Sequence, residues 1–232
     1  MDNSIEKLKE KAQEIRARVI EHHGKTKTSH LGPDLSSVEI MTALYHEIMN
    51  ENDRFILSKG HSAKLLYLTL NDFGKLSNEE IENLEEHPTI CKKKGIWATT
   101  GSLGHGISTG IGMALAKPES KIYVLMGDGE CDEGQVWEAA RSASEIGVRN
   151  IIAIVDCNGF QGLKKTDYTR YKDRFESFGW NAVWCDGHNI EELLKSIKQE
   201  SNKPLVVLAK TIKGKGVASI ENQLKSHYAY SG

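Results

Sequence analysis

The 232-residue chain sets 30 lysines and arginines against 32 aspartates and glutamates, a formal charge of −2, with 39% hydrophobic and 27% charged residues. That composition is globular and excludes wholesale disorder, and the near-neutral balance gives no electrostatic reason to expect nucleic acid or an anionic membrane as partner. No apolar run approaches the roughly 18 residues of a bilayer span, and the polar opening from Met1 to Glu10 lacks the apolar centre of a secretory signal. In chain order, Ile5, Leu8, Ala12, Ile15, Val19 and Ile20 fall at helical spacing and predict a helix over 4–23 with Gly24 as its stop. A polar stretch broken by Gly32-Pro33 precedes Ser36-x-x-Glu39, which reads as a capping box opening a helix toward Ile48. Residues 53–57 read as a short buried strand, 62–72 as a helix, and Ser77-x-x-Glu80 as the cap of another.

The pattern then changes. Continuous apolar runs at 122–126, 151–155, 182–185 and 205–209 alternate with helical spacing at 135–146 and 190–199. Buried strands alternating with helices predict an α/β fold, a mostly parallel sheet with helices on both faces, in one domain over 1–232. The cysteines, Cys91, Cys131, Cys157 and Cys185, stand singly without C-x-x-C or zinc spacing, which predicts reduced thiols and a cytoplasmic protein.

In such sheets ligands sit beyond the carboxyl ends of strands. After the 122–126 run comes Gly127-Asp128-Gly129-Glu130, and after the 151–155 run Asp156-Cys157-Asn158-Gly159-Phe160. One βαβ unit separates Asp128 from Asn158, so adjacent strand ends bring them together. A carboxylate and an amide oxygen suit a hard cation such as Mg²⁺, which completes its shell with phosphate oxygens and water. Taken alone, a Gly-Asp-Gly triplet is more often a simple βα turn; the second turn at the right distance shifts the balance toward a metal–diphosphate site. No P-loop is present, and Gly101-x-x-Gly104-x-Gly106, ahead of a predicted helix, is reversed relative to the dinucleotide fingerprint.

This spacing resembles the thiamine diphosphate motif, and other segments make the resemblance specific. Ser29-His30-Leu31-Gly32, residues 53–61 ending Ser58-Lys59-Gly60-His61, Thr99-Thr100-Gly101-Ser102-Leu103-Gly104 and Lys210-Thr211-Ile212-Lys213-Gly214 are similar to transketolase segments in transketolase order. The resemblance is to the N-terminal, diphosphate-binding part of that family, and it implies the thiamine diphosphate-binding fold. It implies Asp128, Asn158 and the Phe160 carbonyl as ligands of Mg²⁺, with Ca²⁺ or Mn²⁺ as substitutes. Gly127, Gly129 and His61 match contacts to the cofactor's diphosphate, and the Gly101-Ser102-Leu103 turn matches the segment against its aminopyrimidine. His30 and His227 match proton-transferring histidines, His227 also lying against the cofactor; His87 matches one that orients substrate hydroxyls. His105 occupies a position beside the cofactor. His22, His23 and His46 match nothing and read as surface histidines of helices, and His188 as shaping a βα turn. Ser102 departs from the family's proline, and Ser226-His227-Tyr228 from its Trp-His-Gly.

The resemblance further implies two-carbon ketol transfer from a ketose to an aldose, on sugar or sugar-phosphate substrates. The segment that grips the aminopyrimidine and supplies the activating glutamate has no counterpart before Gly232. A split transketolase is therefore expected, with a separate C-terminal subunit carrying the pyrimidine domain, in an α₂β₂ heterotetramer. The competing readings are another thiamine diphosphate enzyme and a non-catalytic scaffold. The first class covers 1-deoxyxylulose-5-phosphate synthase, a 2-oxo acid dehydrogenase α subunit or a specialised ketol transferase. A scaffold would have no use for the metal ligands.

Overall fold

A computed structural model describes residues 3–228, apart from the side chains of Asn3 and His227. Among them run five strands, β1 (Arg54–Leu57), β2 (Ile122–Gly127), β3 (Ile151–Cys157), β4 (Asn181–Asp186) and β5 (Leu205–Lys210), all parallel in the order β1-β2-β3-β5-β4. The central strand β3 is buried at every residue, which is why it reads as an unbroken apolar run rather than an alternating one.

Period-two alternation still decides which layer each strand residue joins. Tyr123, Leu125, Ile152 and Ile154 face one core layer. That layer is closed by helices α1 (Asn3–Thr26), α2 (Leu31–Ser36), α3 (Val38–Ala43), α4 (Ala63–Asp72) and, beyond them, α9 (Ile190–Lys198). Ile122, Val124, Met126, Ile151, Ala153 and Val155 face the other layer, beneath α6 (His105–Ala116), α7 (Gly134–Glu145) and α8 (Tyr171–Ser177). Short helix α5 (Asn78–Glu82) follows α4 and opens with the expected box, Ser77 Oγ accepting from Glu80 N and the Glu80 carboxylate from Ser77 N.

Three local expectations are corrected. The first helix runs through Gly24 to Thr26, because Thr26 Oγ1 and the Lys27 amide bond back into the last turn. Ser36-x-x-Glu39 is not a cap: Ser36 Oγ donates to Asp156 and Pro33 O, and Glu39 pairs with Arg16 and His188. The helix expected there starts earlier, with Pro33 tolerated in its first turn, breaks at Ser37, and ends in a wide turn over Leu44–Ile48. Helix α8 carries no apolar period long enough to announce itself in the sequence.

Candidate functional site

Parallel pairing of β2 with β3 sets Gly127 opposite Asp156, so the two glycine-containing turns emerge side by side. They are stitched together. The Asp128 amide donates to Asp156 O at 3.2 Å, and the Asp128 carboxylate accepts from Gly129 N at 2.7 Å and Gly159 N at 2.5 Å. Gly159 has φ of 83°, a left-handed conformation that lets its N–H turn toward Asp128. A Cβ at Gly129 would lie 2.5 Å from Gln161 Cβ, so only glycine allows this approach. Asn158 Oδ1 accepts from Phe160 N, while its Nδ2 donates to Asp156.

Beneath these turns lies a buried charged network. Lys59 donates to Asp156 at 2.5 Å, to Ser37 Oγ and to Pro33 O. Asp156 also accepts from Ser36, Ser37 and Thr211. Burial alone would raise the Asp156 carboxyl, but the Lys59 ammonium and these donors hold it below its ordinary value. Asp128 goes the other way. Burial and repulsion from Asp156 push it up to about 7, against the two backbone N–H groups and Lys59. Lys213 is buried beside the same turns, donating to Phe160 O at 3.3 Å; burial and the neighbouring Lys59 push it down to about 8.

A cavity of about 270 Å³ opens onto this network, lined by His61, Leu103, Gly127, Asp128, Gly129, Asn158, Phe160 and Lys213 among others. A larger open groove, about 1390 Å³, lies at the opposite end of the sheet around Ser120, Asn150 and Lys203. That groove faces the amino ends of the strands, away from the charged network. Among the described residues no three His, Cys, Asp or Glu side chains gather for a metal. The oxygens of Asp128, Asn158 and Phe160 nevertheless form a hard donor set. The Lys213 ammonium already lies against one of them, and Asp128 is a buried carboxylate that a further cation would stabilise. The residues present therefore fit a divalent ion carrying a diphosphate.

The histidines adjoin this cavity. His61 lines it, and the His30 ring centroid lies 5.4 Å from that of His61, 6.4 Å from His87 and 5.7 Å from Tyr228. His30 precedes α2 with φ of 73°. Gly101, at φ of 137°, packs on His87, whose Cδ2 would lie 3.0 Å from a Cβ there. Of the Gly101-Ser102-Leu103 turn only Leu103 reaches the cavity wall; Ser102 is exposed. The turn is held by Glu130, buried, whose carboxylate accepts from Ser58 Oγ, Gly104 N at 2.9 Å and Gly127 N at 3.2 Å. The side chain of His227 lies outside the described residues.

Other histidines depart from expectation. His105 opens α6 and is exposed, off the cavity wall. His23 is fully buried, bonded to Thr28 O and Asp34 rather than facing solvent. His46 is mostly covered beside Asp72 and Phe73. His188 does shape its turn, and more: its Nδ1 bonds Glu39 and its Nε2 accepts from Ile212 N, tying α3 to the loop that carries Lys213. Sequence reasoning singled out neither Lys59, Asp156, Glu130 nor Lys213 as a site residue. Their signal was position alone, since each stands at the carboxyl end of a strand or just beyond it.

Comparison with known proteins gives the arrangement its context. Residues 7–232 match the family described as transketolase, thiamine diphosphate binding domain. The first of two apulose-4-phosphate transketolase chains of Phocaeicola vulgatus, named as a subunit, is 38% identical, over 97% of this chain and 89% of that protein. The 6-deoxy-6-sulfo-D-fructose transketolase subunit of a Clostridium species is 37% identical, over 95% and 90%. The crystal structure of transketolase from Campylobacter jejuni superposes with a TM-score of 0.88 at 31% identity, covering 100% of this chain and 41% of that one. The chain thus spans most of the length of the two subunit relatives and about two fifths of the full-length enzyme. It belongs to the transketolase family and corresponds to that family's thiamine diphosphate-binding domain.

Proposed function

We propose that this chain is the diphosphate-binding subunit of a two-chain transketolase, moving a two-carbon ketol unit from a ketose to an aldose. The observation that carries this reading is the convergence of Asp128, Asn158 and the Phe160 carbonyl on one cavity wall, with His61 and Lys213 beside them. Asp128, Asn158 and Phe160 O hold Mg²⁺; His61, Lys213 and the glycine turn around Gly127 and Gly129 bind the diphosphate that shares it. Bound thiamine diphosphate supplies a nucleophilic carbon and an electron sink for carbon–carbon cleavage. The chain's own residues do the rest. Gly101, Ser102 and Leu103 form the ledge for the cofactor's ring, Glu130 fixing that ledge to the Gly127 turn. His30 and His227 hold and pass protons at substrate oxygens, and His87 orients substrate hydroxyls.

The partner is a C-terminal transketolase subunit bringing the pyrimidine domain and the activating glutamate, in an α₂β₂ assembly in the cytoplasm. Support comes from the subunit names of the two relatives that this chain matches almost end to end. Among the described residues no helix is long and apolar enough to cross a membrane. Those relatives are named for ketoses bearing a phosphate and a sulfo group, so an anionic-tailed ketose is the substrate class to try first. A ketol-transfer assay with and without the partner tests the proposal. Activity should require both chains, thiamine diphosphate and Mg²⁺; turnover by this chain alone overturns the two-chain reading. Asp128→Ala should abolish metal-dependent cofactor binding by calorimetry, and retained tight binding overturns the metal assignment.

A further inference from the structure

We infer that Glu86 is the positioning residue for His30, its carboxylate holding the imidazole in the tautomer with the proton on Nδ1 and the lone pair on Nε2. The inference rests on the proton-transfer role proposed above for His30. Glu86 Oε1 lies 2.9 Å from His30 Nδ1 and accepts from Ser29 Oγ at 2.5 Å; Ser29 Oγ itself lies 2.9 Å from that ring nitrogen. An ionised carboxylate only accepts, so the proton between Glu86 and the ring belongs to Nδ1. Ser29 gives the same answer independently. Its one hydroxyl proton goes to Glu86, leaving it an acceptor toward Nδ1. Both neighbours therefore demand N–H at Nδ1, and in the neutral ring Nε2 is the basic atom.

The clasp is tertiary: more than fifty residues separate Glu86 from Ser29 and His30. It also acts on a residue whose backbone, at φ of 73°, sits where side chains are rarely found. Glu86 is half-exposed and does not line the cavity, so it acts through His30 rather than on the cofactor. The charged and titratable groups facing His30 are Glu86, Asp34, His87, His61 and Tyr228. Burial pulls the proton affinity of His30 down, Glu86 and Asp34 pull it back up, and His87 lowers it. A base that is neutral near neutrality, with its lone pair direction fixed, is what proton abstraction from a hydroxyl requires. A general base oriented by a carboxylate on its far nitrogen follows the same logic as the histidine of a catalytic triad.

The test uses the full chain labelled with ¹⁵N-histidine, the His30 signals being assigned with His30→Gln. Long-range proton–nitrogen spectra should show His30 protonated on Nδ1. Glu86→Gln keeps an acceptor at Nδ1 but removes the charge. It should retain the tautomer and move the His30 titration to lower pH. In the two-chain enzyme the same variant should lower kcat roughly tenfold, as loss of an orienting partner does. The acidic limb of its pH profile should shift down with the NMR midpoint, and the KM for thiamine diphosphate should stay within about twofold of wild type, because Glu86 does not line the cavity. Glu86→Asp should restore part of kcat. A wild-type His30 protonated on Nε2, or a His30 titration unmoved in Glu86→Gln, overturns the inference. The spectra need no turnover, so they decide it even if the ketol-transfer reading fails.

Discussion

Lys59 Nζ and Asp156 Oδ2 form an ion pair at 2.5 Å with both side chains at 1% exposure or less. Lys59 follows β1 and Asp156 ends in β3, so the pair passes under the Gly127 turn of the intervening β2. Lys59→Met would leave a buried carboxylate without its cation, at a cost of about 3–5 kcal/mol, readable by urea unfolding. Coupling it with Asp156→Leu should recover much of that stability. Cofactor binding should stay impaired, because the Asn158 amide loses the carboxylate that orients it.

Glu130 takes three donors on one buried carboxylate. Glu130→Gln replaces one acceptor oxygen with an amide N–H that faces other donors, a loss of about 1–3 kcal/mol. The larger effect should be on thiamine diphosphate affinity, measured by calorimetry with Mg²⁺ and the partner chain, since Gly104 is no longer tied to the Gly127 turn.

His23 contacts an acceptor through each ring nitrogen, Thr28 O at 2.9 Å and Asp34 Oδ2 at 2.7 Å. Both contacts are satisfied by the imidazolium. Burial opposes that charge, but the Asp34 carboxylate and the Thr28 carbonyl prevail, and the His23 pKa is raised. A raised folded-state pKa stabilises fully below the unfolded value of about 6.5, and that stabilisation is lost as pH climbs through the folded value. The midpoint of thermal unfolding should therefore fall over that window in wild type and fall less in His23→Gln.

Two glycines of α6 should respond oppositely to alanine. A Cβ at Gly106 would lie 2.5 Å from Ser58 Cβ and 2.8 Å from its Cα, which no side-chain rotation relieves. Gly106→Ala should cost about 1–3 kcal/mol and disturb the Ser58–Glu130 contact. At Gly112 nothing lies within 4 Å. Gly112→Ala should stabilise the helix by roughly 0.5–1 kcal/mol. Thermal unfolding of the two variants side by side checks both.

The sheet was readable because β2, β3 and β5 are buried on both faces and so appear as apolar runs. Asp128 and Asn158 were readable because chemistry at strand ends is local in sequence. What escaped is tertiary. Ser36 and Glu39 look like a cap, but Asp156, Arg16 and His188 are better partners, brought from far along the chain. His23 looked like a surface residue because helical periodicity does not reveal that Asp34 folds back over it. Glu86 sits in an acidic loop with no pattern, and its partnership with His30 exists only once α4 and α5 have packed.

The left-handed backbone at His30 carries one last consequence. Sterics there favour glycine by about 1–2 kcal/mol, so His30→Gly should give a chain that resists heat better while working worse. Robustness and competence pull against each other at that single peptide, and thermal selection applied alone would drift toward the inert form.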